Sequence, residues 1–250
     1  MTVFKTGTGQ IAMAKFLFYC FFIFLFTQLN AQAKDLLVAG TEWCPYNCVD
    51  ENRPGIISEY VELIAKRIGI KVDIELLPWS RAITDVKDGK YDVLMSCGES
   101  DSKGLIKSKK LLDYQMCFFT LHTSNWNYNG VKSLNIIQLG SIQDYAYGEP
   151  LDTYLAKERT NTSIMQGPNV HERLGQMLYL SRLDTFVADR ILIKYLVGNK
   201  YRVAGCLKLS PLYLAFNKNI DREIIDKINS EISKTKEELE KIVKKYTTLN

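Results

Sequence analysis

Histidine is scarce: the 250 residues hold two, His122 and His171, and neither adjoins a Gly-x-Ser-x-Gly or similar nucleophile motif. This argues against a serine-type triad, which needs an imidazole beside its hydroxyl. Gly-x-x-x-x-Gly-Lys-Ser/Thr and Gly-x-Gly-x-x-Gly are also missing, so no phosphate cradle is encoded and no cofactor is expected. A strong charge of one sign is lacking too. Lys and Arg number 32 against 28 Asp and Glu, a net +4 without any basic stretch beyond short lysine pairs, which excludes nucleic acid as a partner. With 15 Gly and 6 Pro, collagen-like repeats and disorder are poor readings. What remains is a globular composition, 46% apolar and 24% charged, long enough for one large domain or two modest lobes.

No apolar run is long enough to span a bilayer comfortably, which takes about 20 residues. Phe16 to Phe26 is eleven residues, preceded by Lys15 and followed by Ala31-Gln32-Ala33. That is a signal-peptide pattern with cleavage expected after Ala33, so residues 1–33 are set aside and the mature protein is expected in the periplasm. Met13-Ala14-Lys15 directly precedes the run, which suggests Met13 as the start, with Met1 left open. Leu17-Phe18-Tyr19 before Cys20 is too bulky for a lipoprotein signal. Losing Lys5 and Lys15 and no acid leaves the mature chain at +2.

Export permits disulfides. Cys44, Cys48, Cys97, Cys117 and Cys206 remain, an odd number, so at least one thiol stays free or pairs outside the chain. Cys44 and Cys48 are close enough for a local bridge, and Cys117 and Cys206 could join distant segments, with the connectivity left open. Zinc on Cys44-x-x-x-Cys48 lacks a second pair of ligands with suitable spacing, so no metal site is expected.

From Asp35 the pattern alternates strands and helices, an α/β signature. Leu36 to Ala39 reads as a strand; Tyr60, Leu63, Ile64 and Ile68 fall at helical spacing before Gly69; Val72, Ile74 and Leu76 alternate; Ala82, Ile83 and Val86 precede Gly89; Tyr91 to Ser96 is a buried strand. After Cys117 to Leu121 the order restarts, with strands at 136–141, 162–165 and 185–188 and helices at 151–157 and 172–180. A strand at 212–216 then leads to a long amphipathic helix carrying Ile224, Ile225, Ile228 and Ile232. That helix is expected to pack on the first lobe. The predicted organisation is lobe 1 from 34–118 plus 212–250, lobe 2 from 122–209, and hinge strands near 117–121 and 212–217.

Open α/β sheets bind ligands beyond their strand ends, and there the sequence places aromatic and charged residues. Trp43 and Tyr46 follow the first strand, Trp79 and Arg81 the second, Glu99 and Lys103 the third. In lobe 2 Tyr145 and Tyr147, then Asn169, then Asp189 occupy corresponding positions. Ring faces with paired charges suit a small polar ligand. These ten residues are the candidate binding site.

Several blocks carry a resemblance. They are Trp43-Cys44-Pro45-Tyr46 with Gly55 to Glu59, Pro78-Trp79-Ser80-Arg81-Ala82 with Asp88 to Asp92, Leu139 to Gly148, and Ser181 to Arg190. Over residues 35–250 the chain resembles a family-3 solute-binding protein, the periplasmic receptor of polar amino-acid ABC importers. The resemblance implies a two-lobed, type II-like clamshell that binds a small polar or zwitterionic solute, amino-acid-like in kind. It implies a monomer that presents the solute to a membrane ABC permease and performs no bond chemistry. Asp189 matches the acid that pairs with a ligand α-amino group. Where relatives carry an arginine for the α-carboxylate, this chain has Glu99-Ser100-Asp101-Ser102-Lys103-Gly104, and a lysine lacks the planar two-point grip of a guanidinium. Arg81 is then the expected anion contact. Two alternatives share the scaffold: a periplasmic dehydratase with Glu99 or Asp189 as general acid, and a ligand-sensing input to a membrane receptor.

Overall fold

A computed structural model describes residues 35–143, 145–157, 160–167 and 169–248. The expected signal peptide and the Met13 start lie outside the described residues. Among the described residues no helix is long and apolar enough to cross a membrane.

Three parallel strands start the first sheet: β1 (Leu36–Gly40) pairs β2 (Val72–Leu76) on one side and β3 (Val93–Cys97) on the other. The crossovers are α1 (Ile56–Ile68) and α2 (Trp79–Lys87). Helix α1 buries Ile56, Ile57, Tyr60, Val61 and Ile64 along one stripe and stops at Gly69, whose φ of 74° is the left-handed cap conformation a glycine adopts freely. Two short strands, β4 (Ile106–Lys107) and β5 (Leu112–Tyr114), come next.

Five strands build the second sheet: β6 (Met116–Thr120), β7 (Leu139–Ile142), β8 (Thr162–Met165), β9 (Thr185–Asp189) and β10 (Arg202–Cys206), in the order β10-β6-β9-β7-β8. Helices α3 (Leu151–Leu155), α4 (Val170–Tyr179) and α5 (Arg190–Val197) connect them. The chain returns as β11 (Ser210–Phe216), antiparallel to β3, β4 and β5 in the first sheet.

The passages between sheets thus fall at Gln115 and at 207–209. The strands expected to cross, 117–121 and 212–217, each stay within one sheet: β6 pairs only with β9 and β10, and β11 only with first-sheet strands. A disulfide joins Cys117 to Cys206, opposite residues of β6 and β10, clamping the two strands that flank the passages.

The expected single C-terminal helix is two, α6 (Arg222–Lys234) and α7 (Lys236–Thr247). They divide at Thr235, whose buried hydroxyl donates to the Glu231 carbonyl at 2.7 Å and meets the Tyr60 hydroxyl at 2.9 Å. That tie competes with continuing the helix. Ile225, Ile228, Ile232, Leu239 and Tyr246 join the core of the first sheet. The strand expected at 136–141 begins at Leu139, after a 3₁₀ turn over Val131–Ile136.

Candidate functional site

The loop after β1 is held rigidly from beneath. Cys44 and Cys48 are bridged, so neither is a metal ligand, and Trp43 and Asn47 exchange backbone hydrogen bonds. Asn47 is fully buried, donating to the Thr41 carbonyl at 3.2 Å and accepting from the Ser96 hydroxyl at 2.8 Å. Ser96 itself sits at φ 59°, a left-handed conformation unusual for a non-glycine residue, at the end of β3. The ends of β1 and β3 are therefore stitched together under Trp43.

Above this floor lies a cavity of about 690 Å³, within the range of small-molecule sites. Thr41, Glu42 and Trp43 after β1, Trp79 at the start of α2, and Gly98 to Asp101 after β3 line it from the first sheet. Tyr114, beside one passage, and Ser210 to Leu212, beside the other, form its back. Tyr145 and Ala146, following β7, come from the second sheet. Trp43 and Tyr114 meet edge to face with ring centroids 5.5 Å apart.

Four of the ten expected residues, Trp43, Trp79, Glu99 and Tyr145, line this cavity. Tyr46 and Asp189 are not among its lining residues. Tyr46 is fully buried against Trp43, with centroids 4.2 Å apart, and its hydroxyl donates to Asp189 Oδ1 at 2.9 Å. Asp189 is 1% exposed and also accepts from the backbone N–H groups of Leu192 (2.7 Å) and Gln115 (3.3 Å). Burial pushes its carboxyl up against the pull of these donors.

The other four sit elsewhere. Arg81, 66% exposed at its side chain, pairs with Asp85 at 3.2 Å one helical turn on, so the expected anion contact is directed along α2. Lys103 is exposed on the β3–β4 loop, outside the cavity lining. Tyr147 is buried in the second core, its hydroxyl accepting from the Ile142 N–H at 2.7 Å. Asn169 is an exposed left-handed residue before α4. Strand-end position brings four of the ten expected residues to this cavity and not the other six, because it does not set which side of each turn faces inward. Glu42, Asp101 and Tyr114 were missed; Glu42 adjoins Trp43, and Tyr114 becomes visible once the passage is placed at Gln115.

The electrostatics follow from burial and partners. Burial pushes the Tyr145 phenol up to about 12, and the Asp189 charge adds to the shift. Burial raises Tyr114 as well, with Asp189 and Asp101 contributing. A hydrogen bond from Lys107 holds the Glu99 carboxyl below its ordinary value. Asp101 accepts from the Gly98 N–H at 2.9 Å, shaping the loop after β3. Cys97, buried under the rim with its thiol toward the Tyr213 carbonyl, is pushed up to about 12 by burial. The histidines are remote: His122 Nε2 meets the Asn199 carbonyl, and His171 lies on α4.

Solved structures share this architecture. A second substrate-binding domain of a putative amino acid ABC transporter from Streptococcus pneumoniae is 19% identical and superposes with a TM-score of 0.69, over 86% of this chain and 100% of that one. Substrate-binding domain 2 of Lactococcus lactis GlnP, in an open conformation, is 18% identical with a TM-score of 0.67, over 88% and 98%. An ancestral amino-acid-binding protein described as a precursor of cyclohexadienyl dehydratase is 19% identical with a TM-score of 0.63, over 86% and 96%. At such identities the likeness establishes the two-lobed fold, with one sheet in each lobe. A search of curated protein sequences finds no match. The model of one protein family matches residues 36–249, essentially the whole described chain, and the protein accordingly belongs to the bacterial extracellular solute-binding proteins, family 3.

Proposed function

We propose that the protein is a monomeric periplasmic receptor that holds a small polar, amino-acid-like solute between its lobes and delivers it to an ABC-type permease. Lobe 1 comprises 35–114 and 210–248, lobe 2 comprises 116–206, and the passages at Gln115 and 207–209 act as the hinge. The observation carrying this reading is the cavity itself: about 690 Å³, walled by the strand ends of the first sheet and met by Tyr145 and Ala146 from the second. A solute that touches both walls binds the closed form better than the open one, and that difference drives closure. Export is supported by two disulfides.

Transport without bond chemistry is supported by the state of the two carboxyls an enzyme would use. A general acid near neutrality needs a raised pKa and access to substrate. Glu99 has access but is held low by Lys107. Asp189 is raised but closed off by Tyr46 and backbone donors. Small-angle scattering with and without solute tests the reading: a saturable solute that compacts the protein and is recovered unchanged is the expected result. Turnover of the solute, or binding with no compaction, would overturn it.

A further inference from the structure

The described residues lining the cavity include three carboxylates, Glu42, Glu99 and Asp101, and no lysine, arginine or histidine. Its other conspicuous groups are four aromatic rings, Trp43, Trp79, Tyr114 and Tyr145, all half-buried, so that each keeps part of its surface in the cavity. Lys103, on the loop after β3, lies outside the lining, and two further cations near the rim are engaged by carboxylates. Arg81 is drawn to Asp85, and Lys107 pairs with Glu99 while lying over the Tyr213 ring at 4.4 Å. Beyond the lining Asp189 adds a further buried carboxyl, its protein donors being the Tyr46 phenol and backbone amides, none of them cationic.

Aromatic faces and carboxylates attract the same ligands. A ring quadrupole draws a cation to its face, more strongly where water is displaced, and an acid supplies the countercharge. A ligand carboxylate in the same space meets the charges of Glu42 and Asp101, with Glu99 already paired to Lys107, and no guanidinium or ammonium among the described lining residues. From this juxtaposition we infer that the solute is a small organic cation, an amine or guanidine, whose recognition does not use a carboxylate. The inference rests on the solute-binding reading above and narrows it: the chain selects against the acidic end of an amino acid and for its basic end.

Matched ligands test this directly. Arginine and agmatine share a guanidinium and differ by one carboxylate; glutamate and glutamine supply anionic and neutral comparisons. Calorimetric titration of the mature protein is expected to show agmatine binding at least about tenfold more tightly than arginine, equivalent to about 1.4 kcal/mol, with glutamate not binding. Added salt should weaken agmatine binding, because the attraction is partly screened. Glu42→Gln should weaken agmatine about threefold while leaving the melting temperature unchanged, since Glu42 is exposed. Arginine, glutamine or glutamate binding more tightly than agmatine would overturn the cation assignment while leaving the solute-binding reading intact. No binding of any of the four, with no change in scattering, would count against both.

Discussion

The hydroxyl of Tyr46, on the loop after β1, donates to Asp189 Oδ1 at the end of β9, 2.9 Å away and across the two sheets. Both residues are buried, so the bond belongs to the arrangement in which the sheets meet. Tyr46→Phe keeps the ring against Trp43 but leaves Asp189 one donor short, at a cost of about 1–3 kcal/mol. The loss should fall on the closed form: solute affinity should drop about tenfold, and scattering should show less compaction of the variant at a given solute concentration. A variant with wild-type dimensions and affinity would show that the bond does not hold the lobes.

Asp189 also makes stability depend on pH. Burial raises its carboxyl above the unfolded value, so the folded chain binds this proton more tightly. Its contribution is fully present below the ordinary carboxylate range and is lost as pH rises through the raised value. Asp189→Asn cannot titrate. Urea denaturation at about pH 4 and pH 7 should therefore show the difference, wild type minus variant, moving in the variant's favour at the higher pH. A constant difference would mean that the carboxyl has the same affinity for protons in both states.

The disulfide between β6 and β10 closes a loop whose ends are 89 residues apart in sequence, and it sits where the chain enters and leaves the second sheet. Replacing both Cys117 and Cys206 by serine should cost about 2–5 kcal/mol. At about 2–4 °C per kcal/mol for a chain of this size, melting should fall by about 4–20 °C. An unchanged melting curve in oxidised and variant protein would place the stability of the second sheet elsewhere.

The legible parts of this fold were those set by local pattern. The stripe Tyr60, Ile64 and Ile68 ended at Gly69 because only a glycine enters the left-handed cap without a Cβ penalty, and α1 stops there. The alternation of Val72, Ile74 and Leu76 is β2. The passages were less legible: Cys117 to Leu121 and 212–216 are apolar enough to be strands, but which sheet they join depends on partners far along the chain, Val187 and Ala188 for one and Leu94 for the other. The same limit divided the site. Trp43, Trp79, Glu99 and Tyr145 face the cavity, whereas Arg81 turns along its own helix to Asp85 and Tyr147 turns inward to Ile142, choices made by neighbours and not by strand-end position. Asp189 and Tyr46, two separate members of the expected binding set, proved to be each other's partners.

Gly55 is where a single atom should separate folding of the loop from its composition. Its φ is 110°, and a Cβ there would lie 2.4 Å from the Tyr46 carbonyl oxygen and 2.8 Å from Asn47 Cα, both backbone atoms that cannot swing aside. Its N–H donates to the Tyr246 hydroxyl at 2.8 Å, fixing the start of α1 against α7. Gly55→Ala must therefore displace the Tyr46–Asn47 segment, the support beneath Trp43 and the source of the hydroxyl on Asp189, at a cost of about 2–4 kcal/mol. Gly69→Ala offers the control: its φ is 74°, but an added Cβ meets nothing within 4 Å, so only the backbone term of about 1 kcal/mol is lost. If the loop supports the cavity as the packing indicates, Gly55→Ala should weaken solute binding at temperatures where the protein is still folded, and Gly69→Ala should not. Equal binding by the two variants would detach the cavity from the loop that underlies it.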